Sequence, residues 1–136
     1  MNLFGRVATL PLAALICAAP PSQPVAVQDG SPRVVEVRML DKGGGQWRFE
    51  PADIVARHGD VIRFVQDDVV PHNVQFKKTP KGTDLKDALM GPFLLQKGDV
   101  YEVAIDDRFA PGVHEFVCTP HEMMGMVGSI EVRPGT

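Results

Sequence analysis

The stretch "VHEFVCTPHEMMGMVGSIEV", residues 113–132, decides the fold. Its flanks, "VHEFVC" (113–118) and "MVGSIEV" (126–132), read as strands, joined by a connection that contains Pro120 and Gly125. Working outward, the same rhythm continues. "RVVEVRML" (33–40) alternates as a strand does, and "DKGGGQ" (41–46) is a flexible turn without the Lys-Ser/Thr of a phosphate loop. "WRFEP" (47–51), "DIVAR" (53–57), "VIRFVQ" (61–66), "HNVQF" (72–76), "FLLQ" (93–96) and "VYEVAI" (100–105) are further extended pieces, separated by Pro51, "HGD", "KGD" and "DDRFAPG".

About eight strands with turns every 8–12 residues predict an all-β, Greek-key, two-sheet sandwich. The longest interruption is "KKTPKGTDLKDALMG" (77–91), where Thr83 is expected to cap one or two helical turns over Asp84–Leu89. A chain of 136 residues fits one domain, and its 12 prolines and 13 glycines are scattered as turns require. The formal charge is −3, and removing Arg6 with the first 26 residues leaves 13 basic against 17 acidic groups, or −4. Nucleic acid is thereby excluded as a partner.

Residues 1–26 carry one cation, Arg6, an apolar run of about 13 residues from Val7, then small residues and prolines. This is the pattern of a secretory leader, and the run falls short of the ~20 residues that cross a bilayer. The expectation is an exported chain, periplasmic or otherwise, with one domain over 27–136. Lipid attachment at Cys17 is the weaker reading, because Ile16 is bulkier than such processing prefers, and only that attachment would bring the membrane in as a partner. With Cys17 removed, Cys118 is the one remaining cysteine, so no internal disulfide is available.

Cys118 and His121 lie three residues apart at a strand end, so a turn brings the imidazole back beside the sulfur. Met126 follows at the start of the next strand and offers a thioether. His72, in "VVPHNVQF", is the candidate fourth donor, with Pro71 stiffening its approach and Asn73 able to knit the loop through side-chain bonds. Two imidazoles, a thiolate and a weak thioether form a copper electron-transfer coordination, although zinc would bind the same donors.

The combination of "PHNV" with "GVHEFVCTPHEMMGMVGSIEV" and "FEP" before "HGDVIRF" resembles the cupredoxins, the small type 1 blue copper proteins of the pseudoazurin, plastocyanin and amicyanin group. The resemblance covers about residues 33–132. It implies a sandwich with one copper ion near one end, held by His72, Cys118, His121 and Met126, with Met124 the fallback axial donor. It also implies that the Asn73 backbone N–H donates to the sulfur, while Pro120 lacks a second N–H and so favours a lower potential. His121 is expected to reach the surface through an apolar patch near Met123 and Met124, where redox proteins would dock, with Glu122 making the patch more acidic.

Other residues carry plainer readings. His114 shares the strand parity of Cys118 and reads as a hydrogen-bonded core histidine. His58 reads as an exposed turn residue. Asp67-Asp68 and Asp106-Asp107 read as solvated turn acids, and Trp47, the sole tryptophan, as packing. The function expected is single-electron carriage by a monomer with no small-molecule substrate. The alternative is copper holding or delivery, favoured if the extra methionines bind Cu(I) and residues 77–91 open. A thiol enzyme is excluded because no third orienting group or oxyanion site accompanies Cys118 and its histidines.

Overall fold

A computed structural model of the chain describes residues 32–135. The leader assigned to residues 1–26, with Cys17, lies outside the described residues. Among the described residues eight strands are present: β1 (Val34–Asp41), β2 (Trp47–Glu50), β3 (Asp53–Arg57), β4 (Val61–Gln66), β5 (Gln75–Lys78), β6 (Val100–Ala104), β7 (Gly112–Val117) and β8 (Val127–Arg133). They form two four-stranded sheets, ordered β2-β1-β4-β6 and β3-β8-β7-β5. The β1–β4 and β3–β8 pairs are parallel and the others antiparallel. The expected two-sheet sandwich is therefore present.

Alternation along the strands builds the core. In β4, Ile62, Phe64 and Gln66 are buried, and in β7, His114 and Phe116 are buried, with Cys118 continuing the same parity. Phe49, Phe64 and Phe116 meet edge to face between the sheets, with centroids 4.8–6.0 Å apart. Burying each such ring contributes about 1.5–3 kcal/mol. The Phe116 ring sits so close to β8 that a Cβ at Gly128 would lie 2.5 Å from it and 2.7 Å from the Ala52 carbonyl oxygen. Only glycine fits there.

Three local expectations are corrected. "FLLQ" (93–96) is not a strand: Leu94 makes one isolated bridge, to His72, and the N–H groups of Leu95 and Gln96 donate to the Asp99 carboxylate instead. The strand expected over 72–76 begins only at Gln75. The helix expected over Asp84–Leu89 is a 3₁₀ turn, Lys86–Leu89, and Thr83 does not cap it. Burial of Leu85 and Ala88, together with the Asp84 N–H bond to the Arg108 carbonyl, holds this segment in place of a cap.

Candidate metal centre

Cys118 follows β7 directly, and the chain then turns through a 3₁₀ helix, Thr119–Met124. Pro120 suits the first turn of that helix, where its missing N–H leaves no intrahelical bond unmade. Gly125 ends the helix with φ +86°, and its N–H donates to the carbonyls of Glu122 and His121. The loop closes on itself, with Cys118 N–H bonded to the Met126 carbonyl and Met126 N–H to the His121 carbonyl, each at 3.1 Å. His121 is thereby carried back beside the Cys118 sulfur, as its spacing predicted.

His72 arrives from the other side. Its N–H and carbonyl bridge to Leu94 at 3.2 and 2.8 Å. Asn73 knits the two segments together, as expected: its Nδ2 donates to Thr119 Oγ1 at 2.9 Å and its Oδ1 accepts from Thr119 N–H at 2.8 Å. Gln66, buried at the end of β4, donates to the Val70 carbonyl at 2.6 Å and holds the loop that leads to His72.

The result is a triangle of buried donors. Nδ1 of His72 and Nδ1 of His121 are 3.0 Å apart, and each lies 3.4 Å from Cys118 Sγ. Met126 is fully buried beside them in the chain, whereas Met124 is 58% exposed. Sides of this length are spanned by one ion with metal–nitrogen and metal–sulfur bonds of about 2.0 and 2.3 Å. The donor set is that of a copper site, so residues and cofactor fit.

Burial governs the electrostatics. It pushes the Cys118 thiol up, with the backbone N–H groups of Asn73 and His121 pulling it back toward the thiolate. The Asn73 contact is the one the resemblance implied. Burial also pushes both site histidines below their usual value, keeping the imidazoles neutral as metal ligation requires.

The partners of the two rings were not legible in the sequence. His72 Nε2 faces Asp68 Oδ2 at 3.4 Å, so with Nδ1 turned to the sulfur the Nε2–H points at a carboxylate. Asp68 is no solvated turn acid: its side chain is 9% exposed and Asp67 is 14% exposed. Burial alone would raise the Asp68 carboxyl, but donation from the Val69 N–H, the His72 ring and the Val70 N–H outweighs it and holds the group below the usual carboxylate range. His121 is not at the surface as expected; it is 6% exposed because the Trp47 indole lies over it, ring centroids 4.1 Å apart and planes 24° from parallel. Trp47 packs against the core, as read, and its indole also covers the His121 ring. The signal available was the position of Trp47 after a glycine run, which says nothing about a residue 74 positions away.

His114 is buried, with Nε2 2.8 Å from the Ala110 carbonyl oxygen, in agreement with its reading as a core histidine. His58 is exposed at its turn but tethered to the Phe109 carbonyl at 2.8 Å. Asp107 is solvated, while Asp106 bonds Arg108. Met123 and Met124 lie outside the core, Met123 at 95% exposure, and Glu122 pairs with Lys77 at 3.2 Å.

A Greek-key sandwich with a buried His-Cys-His triangle defines a metal protein of the cupredoxin kind. The chain belongs to the family described as copper binding proteins, plastocyanin/azurin family, whose sequence profile matches residues 35–133. It is 36% identical over 85 residues to plastocyanin of Prochlorothrix hollandica, covering 62% of this chain and 63% of that one. It is 39% identical over 100 residues to pseudoazurin of Paracoccus pantotrophus, covering 71% of this chain and 61% of that one. The chain therefore spans less than two thirds of the length of these curated relatives. The oxidised plastocyanin of Dryopteris crassirhizoma superposes with a TM-score of 0.61 at 26% identity, over 73% of this chain and all of that one. The cofactor is copper.

Proposed function

We propose that this protein carries single electrons between redox partners, with His72, Cys118 and His121 as the strong donors to one copper ion and Met126 as the weak axial donor. The observation that carries the reading is the buried triangle of two Nδ1 atoms and one Sγ. Copper held there supplies a one-electron couple between its cuprous and cupric states. The protein's own part is to keep the donors still. Strands β4, β7 and β8 and the Asn73–Thr119 bonds fix the two segments against each other, so little rearranges when the charge of the site changes.

The exposed thioethers of Met123 and Met124 beside the site supply an adaptable apolar contact for partner proteins. Lys77 neutralises Glu122, so the acidic character expected of that face is reduced. An exported location, periplasmic or otherwise, with a leader over 1–26, a working domain over 27–136 and a monomeric state, completes the reading. No enzymatic activity is assigned. Copper delivery is less favoured, because Leu85 and Ala88 anchor in the core the segment whose opening that reading requires.

The test is addition of Cu(II) to the reduced metal-free protein. An intense blue or green colour is expected, absent from Cys118→Ser, followed by reversible voltammetry. A colourless product, or colour that survives Cys118→Ser, overturns the ligand assignment; irreversible loss of copper on reduction replaces carriage with delivery.

A further inference from the structure

Trp47 opens β2, and its register partner on β1 is Asp41. The turn between them is built against the indole. Asp41 accepts from the N–H of Gly43 at 2.7 Å and of Gly45 at 3.3 Å, and Lys42 N–H closes onto the Gln46 carbonyl at 3.2 Å. Gly45 has φ +79°, and a Cβ there would lie 3.4 Å from the indole Cη2. Gly45, in a left-handed conformation that favours glycine, thus brings the turn against the benzo ring, while the indole stacks on His121.

Core filling alone does not explain this residue. The indole Nε1 is buried and, among the described residues, has no hydrogen-bond partner. An unpaired buried N–H destabilises the fold relative to an apolar ring of similar size. What the indole supplies is a broad flat surface against one imidazole. His121 needs such a surface: among the described residues its ring makes polar contacts only through Nδ1, the atom turned toward His72 and Cys118. His72, by contrast, has a carboxylate at its Nε2.

We propose that Trp47 is a positioning residue for the metal centre: its indole clamps the plane of the His121 ring and closes the outer side of the site, a role that rests on reading His121 as a copper ligand. Carrying no net charge, the clamp favours one copper oxidation state over the other less than a carboxylate would. Its loss frees the ring to rotate away and lets competing ligands reach the ion.

The test uses the copper-loaded protein, reduced to Cu(I) and challenged with bathocuproine disulfonate. Trp47→Leu is expected to surrender copper about tenfold faster than wild type, the lower end of the effect of losing a group that orients a metal ligand. Trp47→Phe, which keeps a ring, is expected to stay within about threefold. In NMR spectra of the wild-type Cu(I) protein, the His121 ring protons should be displaced upfield by the indole, and Trp47→Leu should abolish the displacement. A folded Trp47→Leu variant with the release rate and absorption spectrum of wild type overturns the proposal. If that variant fails to fold, wild-type His121 signals without the upfield displacement overturn it, and displaced signals with copper held by Trp47→Phe support it. A wild-type protein without Cys118-dependent colour breaks the ligand assignment instead, a distinguishable result.

Discussion

The loop ending at His72 and the loop containing His121 deliver the same atom, Nδ1, to the same sulfur by different physics. Around His72 the support is polar: a bridge to Leu94, the Gln66 amide on the Val70 carbonyl, and the Asp68 carboxylate facing Nε2. Around His121 it is a 3₁₀ turn closed by Gly125 and an indole stacked on the ring. A nearly buried carboxylate brings charge as well as orientation, whereas a stacked indole brings orientation and solvent exclusion without charge. The potential of the centre should therefore respond chiefly to the His72 side and the retention of copper chiefly to the His121 side.

Cutting the tie between the two loops should have the largest effect. Asn73→Ala removes both bonds to Thr119 and leaves the Thr119 N–H without its acceptor, a loss of about 2 kcal/mol. Calorimetry should show the melting temperature falling by roughly 8–16 °C, with weaker Cu(II) colour; an unchanged melting point would mean that the loops are held independently.

Asp68→Asn keeps a polar group but removes the charge. Voltammetry should show a rise of about 59 mV or more, since a tenfold preference for the cupric form is lost with the carboxylate. Equal shifts in Asp68→Asn and Trp47→Leu would erase the distinction between a charged and an uncharged support.

His114 gives a comparison of a buried histidine away from the triangle. Burial lowers it from 6.5, and the Ala110 carbonyl only partly restores it. Its folded value lies below its unfolded value, so its stabilising contribution is full above about pH 6.5 and is lost as the pH falls toward the folded value. In metal-free protein, the slope of stability against pH below 6.5 should be shallower in His114→Gln than in wild type, by up to about 1.4 kcal/mol per pH unit. Parallel slopes would remove His114 from the acid response.

The smallest effect is expected at Pro120. Pro120→Ala supplies a backbone N–H near the sulfur and should raise the potential by less than roughly 59 mV. The His121 N–H already acts on that sulfur, which limits the gain. An unchanged potential would show that the added N–H does not reach the thiolate.

Strand content and the candidate donors of one loop were legible because they depend on local rules. Period-two alternation marked "VIRFVQ" and "VHEFVC", and Cys118, His121 and Met126 were close enough in sequence for one loop to gather them. "FLLQ" misled because its composition is that of a strand while its backbone donors go to Asp99. Asp67-Asp68 misled because two adjacent acids in a turn look solvated until Lys97, Arg38 and His72 are folded against them.

By itself, then, the sequence determined a two-sheet sandwich and the cluster of candidate donors Cys118, His121 and Met126, since residue type and spacing within a strand or loop are enough for both; His72, 46 residues before Cys118, was marked by its motif and brought there by the fold. Only the tertiary structure decided which side chains support those donors. Asp68 lies only four residues before His72, yet it faces that ring only once the loop is packed; Trp47 reaches His121 from another strand, and nothing in local spacing encodes an indole from β2 lying on a ring beyond β7. Such contacts are set by how the sheets and their connecting loops pack, a long-range property that emerges when the whole core closes.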